Sequence, residues 1–132
     1  MENKKHKYGQ FVWTDVTVEN PTELKEFYKD VFGWSEFAVG MKDGDEEYND
    51  FAMMIDEETP AGGVCTKRGQ NKEIPSQWIM YINVENIDES LEKCLQLGGK
   101  LIHENRKKDG SLHYVIVSDP KGHVFGMGKF DS

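Results

Sequence analysis

Alternating apolar and polar positions open the chain. From Gly9 to Val18 it reads Gly-Gln-Phe-Val-Trp-Thr-Asp-Val-Thr-Val, rich in β-branched and aromatic residues, and it halts at Glu19-Asn20-Pro21. That pattern predicts a strand followed by a breaker. The period then changes: Leu24, Phe27, Tyr28, Val31 and Phe32 recur at helical spacing and make one apolar face. Asn20 suits the N-cap, Pro21 the first helical position, Glu23 a capping box and Gly33 the helix end. Strands are predicted at 34–41 and 46–55, joined by Lys42-Asp43-Gly44-Asp45, where Asp-Gly signals a hairpin with positive φ at both central residues. A fourth strand covers 61–67.

After the polar, turn-rich stretch Lys67–Pro75 the order repeats. Gln77–Val84 predicts a strand. Asn86, with Glu89 three residues on, caps a helix carrying Ile87, Leu91, Cys94 and Leu95, which stops at Gly98-Gly99. Strands at 100–105 and 112–118 flank Lys107-Lys108-Asp109-Gly110, and 123–130 is the last strand after the turn Asp119-Pro120-Lys121-Gly122. Val18-Glu19-Asn20 recurs as Val84-Glu85-Asn86, Lys42-Asp43-Gly44 as Lys108-Asp109-Gly110, and Gly33, Tyr48 and Gly62 as Gly99, Tyr114 and Gly128, each 66 residues on. The chain is therefore an internal repeat of strand, helix and three strands. Module one covers about 9–68, a linker about 69–76 and module two about 77–130.

Strand parity assigns faces. Val12, Val16 and Val18 turn to the helix, while Phe11, Trp13, Asp15 and Thr17 turn away. In the matching strand Met80, Ile82 and Val84 turn to the helix, and Ile79, Tyr81 and Asn83 turn inward. An inner face holding Asp15 and Tyr81 is unlike a sealed core.

Composition narrows the function classes. The 132 residues suit a single domain, and 16 basic against 24 acidic residues give a net charge of −8. That balance disfavours nucleic acid and anionic membrane as partners. The longest apolar runs, Phe51–Ile55 and Trp78–Ile82, are far short of the roughly 20 residues of a membrane span. The charged start, Met1 to Lys7, lacks the apolar stretch of a secretory signal. Cys65 and Cys94 form neither a disulfide scaffold nor a metal motif, so a cytoplasmic location with reduced thiols is expected.

Four segments carry a resemblance: Phe27-Tyr28-Lys29-Asp30-Val31-Phe32-Gly33-Trp34, Pro60-Ala61-Gly62-Gly63-Val64, Gly98-Gly99, and Ser118-Asp119-Pro120-Lys121-Gly122-His123-Val124-Phe125-Gly126. In that order, across a half-length repeat, they resemble the vicinal oxygen chelate superfamily, which includes glyoxalase I, extradiol dioxygenases and bleomycin-resistance proteins. The resemblance implies an α+β fold of two tandem βαβββ modules, a curved mixed sheet around a pocket with the helices outside, often completed in a homodimer. It also implies a divalent metal held by His and Glu on the first and last strands of each module, acting as a Lewis acid. Those places fall at Trp13, Ile79, Gly126 and within Pro60–Val64, and none offers a ligating side chain. A slip of one or two residues recruits Asp15 or His123 and leaves 60–64 and 79 empty. No metal and no cofactor are expected.

The remaining candidates are weighed against plain structural roles. His103 and His113, with Glu104, could make a non-standard metal site as cross-strand neighbours; an exposed polar hairpin is the expected alternative. His123 follows a tight turn, where an exposed polar residue is ordinary. Cys94 lies on the apolar helix face. Asp15, mid-strand on the inner face, is a weak general-base candidate or a polar anchor. Trp13, Asp15, Tyr81 and Gly126 are the expected ligand-lining residues, with Gly126 leaving room. The reading that follows is a metal-independent binder of a small organic molecule. The alternatives are a lyase or dioxygenase with displaced metal ligands, an acid–base enzyme using Asp15, or a regulatory domain with a vestigial pocket.

Overall fold

Two asparagines start the two helices. In the computed structural model, which describes residues 6–130, Asn20 accepts the Glu23 N–H at 3.3 Å ahead of α1 (Pro21–Phe32), and Asn86 accepts the Glu89 N–H at 3.0 Å ahead of α2 (Ile87–Gln96). Gly33 at φ 76° ends α1. The second helix is two residues shorter, and its positive-φ glycine is Gly98, at φ 102°, rather than Gly99. Gly99 is fixed by crowding instead, since a Cβ there would lie 2.3 Å from Cys94 Sγ.

The strands are β1 (Phe11–Val18), β2 (Ser35–Asp43), β3 (Glu46–Met54), β4 (Pro60–Thr66), β5 (Trp78–Asn83), β6 (Lys100–Arg106), β7 (Leu112–Ser118) and β8 (Val124–Gly128). The hairpin turn between β2 and β3 is Gly44-Asp45, one residue later than Asp43-Gly44. Only Gly44 takes positive φ, 64°, the arrangement of a glycine-first turn. Backbone contacts group the described chain into two units, residues 14–78 and residues 79–130 together with those up to Trp13.

In the first unit the strand order is β2-β3-β4-β1, antiparallel except for parallel β4 and β1, where Asp15 lies opposite Gly63. α1 covers one face. Val16, Phe51, Met53 and Val64 are buried there with Val18, Leu24, Tyr28, Trp34 and Trp78 against them. The helix is not set as its apolar spacing predicts. Phe27, Val31 and Phe32 are more than half exposed, whereas Lys25 is buried. Its ammonium reaches Glu36 at 2.7 Å and Glu26 at 2.6 Å and stands 4.9 Å from the Phe51 ring centre, so a charged side chain takes an inward position. The stretch read as a linker is packed rather than loose: it contains a 3-10 turn at Gly69–Asn71, and Ile74 is buried. Just beyond it, Trp78 Nε1 donates to Tyr28 Oη at 2.9 Å.

In the second unit the order is β5-β8-β7-β6, with parallel β5 and β8. α2 packs Ile87, Leu91 and Cys94 on Leu112, Val115, Val117 and Met127, joined by Val84 and Phe125. Asn83 ties in the amino-terminal segment. Its Nδ2 donates to the Lys7 carbonyl at 3.2 Å, its Oδ1 accepts from Phe130 N–H at 2.6 Å, and its backbone exchanges bonds with Gly9 and Gln10. No helix among the described residues is long and apolar enough to cross a membrane. Residues 1–5, which carry most of the charged start, lie outside the described residues.

Each unit is thus a βαβββ module. The 66-residue spacing holds at the caps and at Gly44 and Gly110. On the last strands it is 63, because Asp15 faces Gly63 while Tyr81 faces Gly126. The Gly62 and Gly128 match is therefore not a structural equivalence.

Candidate functional site

The faces that α1 and α2 leave uncovered carry the polar residues. In the first unit, register places Asp15 and Thr17 of β1 beside Gly63 and Cys65 of β4, then Ala52 of β3, and Phe37 of β2. By alternation Tyr48 and Asp50 share this face, opposite Met41 and Val39. Asp50 is 7% exposed and its Oδ1 accepts the Thr66 N–H at 2.8 Å. Burial pushes its carboxyl above the ordinary aspartate range, against the pull of the Thr66 hydrogen bonds. Burial also raises the Cys65 thiol, and the charges of Asp15 and Asp50 raise it further, so the thiol stays protonated. Tyr48 is likewise raised, by burial first and then by Asp50, with Arg68 opposing. The Arg68 guanidinium lies 4.6 Å from the Tyr48 ring centre while bonding Asp43 at 3.0 Å and Glu46.

This centre can accept hydrogen bonds or take a proton through Asp50, and it offers uncharged Tyr48 and Cys65 beside it. Sequence reading singled out Asp15 and missed Asp50. The signal was available: Asp50 follows Tyr48 at strand parity and shares the inner face.

In the second unit the uncovered face is more closed than its sequence suggests. Ile79, Tyr81 and Asn83 are each under 5% exposed, as is Ile116. Met80, on the helix side of β5, is 47% exposed. The Tyr81 ring meets Tyr114 edge-on at 5.7 Å and lies over Gly126, where a Cβ would come within 2.3 Å of it. The room expected at Gly126 is therefore filled by Tyr81. Trp13 and Asp15 are both half-buried in β1. Trp13, Tyr81 and Gly126 fall in the second unit, and Asp15 falls in the first.

The histidines sit in different surroundings. A break in register between Leu101 and His103 sets His103 opposite Ile116, and it is buried, 6.0 Å from the Tyr114 ring centre. An exposed polar hairpin was expected there, and the bulge corrects it. His113 is exposed and bonds Asn105 at 3.2 Å, and Glu104 bonds Arg106 at 3.0 Å. The exposed His123 is paired with Asp119 at 3.0 Å. Asp119 is held below the usual carboxylate range, chiefly by the His123 backbone N–H.

The metal implied by the resemblance does not fit these residues. Trp13 offers an indole, Ile79 is fully buried hydrocarbon, and the Cβ position of Gly126 is occupied by Tyr81. Pro60–Val64 brings no donor side chain. Among the described residues no group of three or more His, Cys, Asp or Glu side chains is placed to hold a metal ion.

Comparison with known proteins agrees with this architecture. The "Putative glyoxylase CFP32" proteins of Mycobacterium bovis and Mycobacterium tuberculosis are 26% identical to it over 92% of the chain. The chain spans 44% of their length. A variant of Streptomyces coelicolor methylmalonyl-CoA epimerase, solved with 2-nitronate-propionyl-CoA, superposes with a TM-score of 0.57 at 10% identity, covering 96% of this chain and all of that one. The Mycobacterium tuberculosis methylmalonyl-CoA epimerase gives 0.53 at 13% identity, over 92% and 87%. At such identities the structures speak for the fold alone. A sequence profile of the glyoxalase/bleomycin resistance protein/dioxygenase superfamily matches residues 10–127, and with both modules in place the chain belongs to that superfamily.

Proposed function

We propose that this chain binds a small organic molecule on the uncovered sheet face, without the metal of its superfamily. The observation that supports it best is Asp50, a buried carboxyl on the sheet face away from α1. Thr66 holds one of its oxygens, and a carboxyl group has acceptor capacity beyond that one N–H. Exposed Phe37 and Val39 supply apolar surface on the parity of Asp15 and Asp50. Non-ligating side chains at Trp13, Ile79 and Gly126 support the metal-free half of the reading.

A second reading is favoured by the raised carboxyl of Asp50. Such a group holds its proton to higher pH than an ordinary aspartate, which suits a base that must also return the proton. The solved neighbours carry the name epimerase. In that reading Asp50, rather than Asp15, is the general base acting on a carbon acid.

The test begins with a thermal-shift screen of neutral, cationic and anionic metabolites, followed by calorimetric titration of the hits. Asp50→Asn is expected to weaken a hit at least tenfold, by about 1.4 kcal/mol or more. Elemental analysis should find far less than one transition metal per chain, and EDTA should leave Tm unchanged. Stoichiometric nickel, zinc, iron or manganese with a Tm that drops in EDTA would overturn the metal-free reading. Hits indifferent to Asp50→Asn would remove this face as the site.

A further inference from the structure

The outermost strands of the two units are built differently. β6, the edge in the second unit, is blunted. Its pairing with β7 breaks between Leu101 and His103 and again between Asn105 and Arg106, and it carries Lys100, Glu104 and Arg106. β2, the edge in the first unit, pairs with β3 through nine consecutive residues without a break. Its middle, Phe37 to Met41, has no charge, no proline and no bulge, and Phe37 and Val39 are 65% and 39% exposed. An edge of that kind is a template for another strand.

We propose that β2 is a dimerisation edge whose occupant is β2 of a second copy of this chain, running antiparallel about a two-fold axis at Val39. Backbone geometry allows it. The two-residue turn makes Asp43 and Glu46 a hydrogen-bonded pair, so the odd-numbered residues of β2 bond to β3. Glu36, Ala38, Gly40 and Lys42 therefore direct their N–H and C=O groups to the open side. A two-fold at Val39 sets Ala38 opposite Gly40 and Glu36 opposite Lys42 of the second copy, all outward-directed residues, and the ladder closes.

Charge then selects the register. The Glu36 and Lys42 pairing occurs twice about the axis, once on each side, as an isologous contact requires. Glu36 already receives Lys25 at 2.7 Å and Lys29 at 2.9 Å, and a carboxylate has acceptor capacity for one more donor. On the opposite face Phe37 meets Met41 of the second copy, also twice. Moving the axis to Ala38 or Gly40 keeps the backbone ladder but loses both charge pairs, so Val39 is the favoured centre. Antiparallel cross-strand pairs of this kind, apolar and oppositely charged, are what stabilises a sheet.

The experiment uses the full chain. Sedimentation should show a dimer, and Val39→Lys, which sets two ammonium groups against each other at the axis, should raise its dissociation constant about tenfold or more. Independently, Val39→Cys should cross-link on mild oxidation, because a non-hydrogen-bonded pair brings its Cα atoms to about 4.5 Å, within disulfide range. Phe37→Cys should not, since its counterpart is Met41. The unaltered chain, with Cys65 and Cys94 partly buried, is the control. A monomer at high micromolar concentration, an undiminished dimer in Val39→Lys, or equal cross-linking at 37 and 39 would each overturn the proposal. Should Val39→Lys fail to fold, the cysteine pair decides alone.

Discussion

Gly126 and Tyr81 form one packing decision made at two positions. The ring lies where a Cβ would otherwise be, 2.3 Å from its nearest atom. Gly126→Ala forces the ring or the strand to move, and the expected cost is about 1–3 kcal/mol in urea unfolding. In a Tyr81→Ala background the same change should cost less than about 0.5 kcal/mol, because the obstacle is gone. Equal costs in both backgrounds would show that the strand, rather than the ring, sets the limit. Asp50 makes a different kind of prediction. Its folded carboxyl binds a proton more tightly than the unfolded chain does. Its contribution to stability is therefore greatest in acid and falls as pH rises from the unfolded aspartate value through the raised folded one. Asp50→Asn keeps an acceptor for the Thr66 N–H and removes the charge. The variant should gain on the wild type as pH rises through that window, measured by unfolding between about pH 3 and 7. A difference that does not change with pH would mean that Asp50 titrates normally.

At the level of elements, the helix starts were the most legible feature of the sequence. Asn20 and Asn86 each accept the N–H three residues on, as their spacing to Glu23 and Glu89 predicts. Replacing either by Ala should cost about 1 kcal/mol, and replacing both should cost close to the sum, since they cap separate helices. The succession of strands along the chain and the places of the hairpins were legible for the same reason: caps, turns and alternation are short-range chemistry. What failed depended on partners distant in sequence. Lys25 is drawn inward by Glu36, eleven residues away and on β2, and Phe27 is left outside. His103 is turned by a bulge whose partner is β7. Asp50 shares its face with Asp15 only because β4 lies between β3 and β1. The Lys25 network also carries a pH signature. Glu36 and Glu26 are held below the ordinary range chiefly by their hydrogen bonds to Lys25, so their share of stability is present above the unfolded glutamate value and is lost as pH falls through the folded one.

Over the whole molecule, the repeat divides the sequence into halves, but backbone contacts do not follow that division at the start of the chain. The segment through Trp13 is grouped with residues from Ile79 onward. Asn83 links the two stretches: its amide nitrogen donates to the Lys7 carbonyl and its amide oxygen accepts the Phe130 N–H. Positions 7 and 130 are therefore close neighbours, and a short glycine linker can join them. With the chain reopened between the exposed Lys72 and Glu73, the order of synthesis becomes 73 to 130, then 7 to 72. The unit now assembled from two distant stretches would be continuous. It would no longer have to close a loop of about 65 residues before Asn83 meets its amino-terminal partner, an entropic cost of a few kcal/mol. Such a circular permutant should keep the native circular dichroism spectrum and refold faster than the parent, with the gain confined to probes in residues 79–130. A parent whose refolding is equally fast at those probes would show that joining the distant stretches is not the slow step.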